Sequence, residues 1–160
     1  MTCRSIRVVG RCVFAVSMGA LVGPVPGTAV AQGRLASAES VRCTFPRTAV
    51  GGWTKDGTPE VAARPSTLVL RFEAIDADGA TAQLRNGSMS VDVVVRAAEG
   101  YLHFMQAFRS GPLYTTTVFD AGESGGKFKA VHSRHEYFTV PVSGATSSPE
   151  QYYGECEVVR

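Results

Sequence analysis

After Ser40 nearly every apolar segment alternates with a period of two, and turn-forming residues divide the segments. Val41, Cys43 and Phe45 share one parity. Leu68, Leu70 and Phe72 alternate with Val69, Arg71 and Glu73, and Met89, Val91, Val93 and Val95 alternate with Ser90, Asp92 and Arg96. A period of two puts one set of side chains on each face of a β-strand. Between two such runs stands Asn86-Gly87. This pair predicts a tight type I′ hairpin, whose central residues need positive φ. Ala80–Arg85, Tyr101–Phe108, Leu113–Phe119, Lys127–His135, Tyr137–Val142 and Gln151–Val159 read as further strands, joined through Arg109–Pro112, Asp120–Gly126 and Ser143–Glu150. After residue 40 no stretch sustains the 3.6-residue apolar pattern of a helix. Eight or nine evenly spaced strands with hairpin-length connections predict an all-β domain. An antiparallel barrel of about eight strands is favoured because closure removes both exposed edges, with a β-sandwich as the alternative.

The N-terminus reads differently. Arg4, Arg7 and Arg11 form a basic start, Val13 to Val22 is apolar, and Pro24, Pro26 and Gly27 then break any helix. Ala29-Val30-Ala31 supplies the small residues a signal peptidase requires. The expected division is a signal peptide over 1–31, a short linker over 32–40 and a β-domain over 41–160. The apolar part is too short before its prolines to serve as a membrane span, and Cys12 lacks the preceding apolar segment of a lipoprotein. The expected location is therefore secreted or periplasmic, with no membrane association after cleavage. Arginine outnumbers lysine 13 to 3, a coding bias that points to a GC-rich bacterium.

Removing that segment changes the charge. Three of the 16 basic residues and none of the 14 acidic ones precede the cut, so the remainder carries 13 − 14 = −1. A nucleic-acid partner needs a clustered Lys/Arg face, and this composition offers none. Two cysteines also leave with the segment. Cys43 and Cys156 remain, and in an oxidising compartment an isolated pair predicts a disulfide. It would join the first strand to the last.

Gly51-Gly52-Trp53 resembles the G-x-W signature of calycin barrels, the lipocalins and avidins, and Thr54-Lys55-Asp56-Gly57 is similar to the avidin continuation. The resemblance implies a tryptophan that plugs one end of the barrel beneath a basic side chain. Trp53 is the only tryptophan, whereas a biotin pocket uses several. Ala130–His135 and Gln151–Cys156 also resemble segments of uncharacterised exported bacterial β proteins, a likeness that implies no activity.

Val131-His132-Ser133-Arg134-His135 is the most unusual local composition. His132 and His135 have opposite parity on a strand, which argues against a shared metal. Phe128, Ala130, His132 and Arg134 share the inward parity. A buried guanidinium needs a carboxylate or an aromatic face, and Trp53 is one expected partner for Arg134. Gly122-Glu123-Ser124-Gly125-Gly126 looks like the nucleophile loop of chymotrypsin-like proteases. Serine catalysis also needs a histidine base and an orienting carboxylate, and no histidine stands suitably before this serine, so the stretch reads as a turn. Asn86-Gly87-Ser88 is a glycosylation sequon in a hairpin position.

These readings predict a non-enzymatic exported barrel, with no catalytic residue, cofactor or metal, that binds a small molecule or a protein partner. Trp53, Phe104, Gln106, His132 and Arg134 are the candidate residues of an interior site. A protease-inhibitor-like interaction module is the alternative, and a hydrolase is third.

Overall fold

The computed structural model describes residues 33–137 and 148–159. Eight antiparallel strands run in chain order as β1 (Val41–Trp53), β2 (Pro59–Asp76), β3 (Thr81–Asn86), β4 (Met89–Ala98), β5 (Tyr101–Ala107), β6 (Leu113–Ser124), β7 (Lys127–His135) and β8 (Glu150–Val158). Each pairs with its neighbour in sequence, and β8 pairs with β1 to close the barrel. The sandwich alternative is thereby set aside. The signal-peptide segment and most of the predicted strand Tyr137–Val142 lie outside the described residues.

Two local expectations need correction. Asn86 pairs with Met89, so the turn residues are Gly87 and Ser88, and of the two only Gly87 has positive φ, at 60°. That is the pattern of a II′ turn, one residue later than an Asn-Gly I′ turn. Asp120–Gly126 is not a loop. The strand β6 continues to Ser124, and only Gly125-Gly126 turns, with φ of 60° and 82°. Ser124 therefore sits at a strand end against Lys127, within an ordinary hairpin.

Alternation places the core inside the barrel. Val41, Cys43 and Phe45 of β1, Leu70 and Phe72 of β2, Val93 and Val95 of β4, Leu102 and Phe104 of β5 and Phe128 of β7 are buried. Phe72 and Phe104 stack across the interior with ring centres 3.8 Å apart. Leu35 and Ala38 of the lead-in segment are buried as well, so this segment closes the end at which β1 starts. Backbone bonds hold it there, from Ile75 N–H to the Glu39 carbonyl and from Val159 N–H to the Ser40 carbonyl.

Cys43 and Cys156 stand directly opposite each other on β1 and β8, and they form a buried disulfide. The bond thus clasps the one strand pair that joins the ends of the chain. Just beyond it the register of β1 shifts around Pro46, so that Phe45 and Thr48 both face inward. Such a bulge inserts a residue and reverses parity. Gly154 of β8 lies against it. A Cβ at this position would overlap the Thr44 carbonyl oxygen and lie 2.7 Å from Phe45 Cα. Because the obstacle is backbone, Gly154→Ala is expected to destabilise the fold by about 2 kcal/mol. A denaturant midpoint equal to the parent's would show that the bulge yields freely.

Candidate functional site

The opposite end of the barrel holds a polar cluster built from three adjacent strands. On β7, the inward parity carries Phe128 and Ala130 into the core and then His132 and Arg134 toward the end. The ladders set Thr116 of β6 and Tyr152 of β8 beside His132, and Tyr114 and Glu150 beside Arg134. Glu136, two residues past Arg134, is also buried.

The Arg134 guanidinium lies between two phenol rings. Its Cζ is 5.4 Å from the centre of Tyr114 and 5.1 Å from that of Tyr152. Its Nη1 is 3.9 Å from Glu150 Oε2. Each phenol donates to a carboxylate, Tyr114 to Glu136 at 2.5 Å and Tyr152 to Glu150. Arg134 Nε–H points at His132 Nε2 over 3.4 Å, and His132 Nδ1 is 2.8 Å from Thr116 Oγ1. An imidazole that accepts at Nε2 carries its proton on Nδ1, so His132 is neutral and donates to Thr116. Burial is the main reason its pKa falls to about 4, and the nearby Arg134 charge adds to the shift. Burial, reinforced by hydrogen bonding to a carboxylate, pushes both Tyr114 and Tyr152 up to about 12. These three groups therefore keep one protonation state around neutral pH. They make a locked network rather than a proton relay.

Space is scarce inside. The cavity bounded by Phe72, Leu84, Phe104, Gln106, Tyr114 and His132 measures about 10 Å³, room for a single water. Small-molecule pockets run to several hundred Å³. Among the described residues, side chains fill the space between Phe72, Phe104 and His132.

Of the five residues singled out from sequence, four come together. Phe104 and His132 are buried, and Gln106 and Arg134 are half-buried at the same end. Trp53 does not join them. It is 53% exposed at the tip of β1 and meets Tyr137 edge-on, with ring centres 5.4 Å apart. The reading of Trp53 as an interior plug, or as the platform for Arg134, is corrected by this position. The bulge at Pro46 and the length of β1 carry Trp53 past the barrel body, and the tyrosines take its place against the guanidinium. Tyr114, Glu136, Glu150 and Tyr152 join the cluster without having been singled out from sequence. Strand parity could have found Tyr114 and Tyr152, whereas Glu136 and Glu150 flank a connection in which no alternation is readable.

Arg134→Ala is expected to cost about 2 kcal/mol, because it leaves the buried Glu150 carboxylate with its tyrosine donor alone. The readout is the thermal midpoint, and an unchanged value would mean that the guanidinium does not support the fold. Across family models, curated proteins and solved structures, nothing matches this chain.

Proposed function

We propose that the protein is an exported, non-enzymatic binding module whose barrel end bearing the Arg134 cluster receives a polypeptide partner. The packing between Phe72, Phe104 and His132 carries this reading, because a space of about 10 Å³ there is too small for a ligand and directs a partner to the outside of the molecule. The end that bears the polar cluster also bears exposed apolar and aromatic side chains, Trp53, Phe108, Leu113 and Tyr137. Aromatic residues beside a fixed arginine are the composition of an interface centre, where a few residues supply most of the binding energy. Export rests on the basic, apolar and small-residue pattern of the first 31 residues.

A small molecule would need a site on the outer wall. The open depression over β3, β4 and β5, about 550 Å³ and bordered by Thr81, Gln83, Asp92, Val94 and Met105, is the space for it. Native mass spectrometry of protein purified from its own host separates the two readings. A bound polypeptide that is released at least tenfold more readily by Trp53→Ala/Tyr137→Ala supports the interaction module. A co-purifying small molecule, unaffected by that variant, would overturn it.

A further inference from the structure

The first half of β2 has a partner on one side only. From Pro59 to Pro65 it pairs with β1, in the unbroken register Trp53↔Pro59 to Arg47↔Pro65. On its other side β3 begins to pair only at Arg71. Among the described residues, the edge from Pro59 to Leu70 is therefore open. All seven side chains from Pro59 to Pro65 are exposed, so this half of the strand stands clear of the barrel body.

The direction of the backbone groups on that edge can be derived. Gly51 donates its N–H to the Pro149 carbonyl at 2.8 Å, away from β2. Gly51 pairs with Val61. In an antiparallel ladder, opposed residues either exchange both bonds or both point outward. Val61 thus turns its N–H and C=O to the open edge, and Ala63, two residues on, does the same. Pro59 and Pro65 share this orientation, which is where a sheet tolerates residues that lack an N–H. The open edge is a short template bounded by a proline at each end.

We propose that this edge pairs antiparallel with the same edge of a second copy of the chain, about a two-fold axis at Ala62. Charge complementarity selects that occupant and that register. With Ala62 opposite its own symmetry mate, Glu60 of each copy faces Arg64 of the other. Both side chains are exposed, and neither has an ion-pair partner among the described residues. Val61 and Ala63 then exchange backbone bonds across the axis, four in total. The Glu60–Arg64 positions become pairs without backbone bonds, the class in which opposed side chains approach most closely. The prolines meet at the two limits, where no bond is available to either copy, so the ladder cannot lengthen. An isologous contact uses both edges and closes, which gives a dimer and not a fibre. Pro59 stands opposite Trp53 on β1, but the proposed contact uses the far edge of β2 and its test substitutes Glu60 and Arg64, so it can fail without affecting the reading built on Trp53 and Tyr137.

Sedimentation of the protein over a range of concentrations tests the pairing. A reversible monomer–dimer equilibrium that weakens with salt is expected. Glu60→Arg alone or Arg64→Glu alone should weaken the dimer at least tenfold, because each sets like charges opposite one another. The double exchange Glu60→Arg/Arg64→Glu should restore it, because the pairs re-form with reversed sign. All of these positions are exposed, so the variants should keep the parent's unfolding midpoint. A monomer at every attainable concentration, or a dimer indifferent to the single reversals, would overturn the proposal.

Discussion

Replacement of Cys43 and Cys156 together by alanine is expected to lower stability by about 4–5 kcal/mol, the largest effect predicted for any small change in this chain. The cysteines are separated by 113 residues and directly opposed on the strands that close the barrel. A crosslink over so long a loop removes much of the freedom of the unfolded chain, and that loss grows with the logarithm of loop length. Both side chains are also buried, so truncation leaves unfilled space between Phe45 and the neighbouring core. Denaturant unfolding of parent and variant under non-reducing conditions measures the difference. A loss below about 1 kcal/mol would mean that β1 and β8 hold together in the unfolded ensemble without the bond.

Acidification is expected to produce the second-largest loss. His132 has a folded-state pKa of about 4, against 6.5 for a free imidazole. Between these values the unfolded chain takes up a proton that the folded chain refuses, so stability falls as the pH falls. The contribution is fully present above about pH 6.5 and declines steadily to about pH 4. A gap of this size corresponds to about 3 kcal/mol. The measurement is the unfolding free energy from pH 7.5 to 4, for the parent and for His132→Asn. The parent curve should fall more steeply across this window. Parallel curves would show that His132 is free to take up a proton in the folded barrel.

The two effects have different visibility in the sequence. The disulfide could be anticipated, because Cys43 and Cys156 are the only cysteines after the signal-like segment and an isolated pair in an oxidising compartment predicts a bond. The state of His132 could be anticipated only in part. Its inward parity follows from Phe128 and Ala130, but its low pKa depends on how tightly Phe45, Tyr114 and Tyr152 surround the ring, at 5.7 to 6.0 Å between centres. Those contacts join three other strands.

The arm formed by Thr48–Trp53 and Pro59–Arg64 shows the same limit. Residues 59–67 contain two prolines and show no alternation, so nothing in their pattern predicts a strand. The segment is nevertheless β, because pairing with β1 satisfies its backbone even though it buries no side chain. Alternation reports burial on one face. A strand exposed on both faces is silent to it.

By itself, then, the sequence determined the strand class, most of the hairpin order, the identity of most inward residues and the pairing of Cys43 with Cys156. Each of these follows from local periodicity or from a very short list of candidates. Only the tertiary structure decided that side chains fill the space around Phe72 and Phe104, that two tyrosines rather than Trp53 embrace Arg134, and that among the described residues one edge of the first half of β2 stands open. The physical reason is the register between strands. Bulges at Pro46 and within β2 shift whole ladders by a residue, and that shift determines which side chains share a layer and which edges are left open.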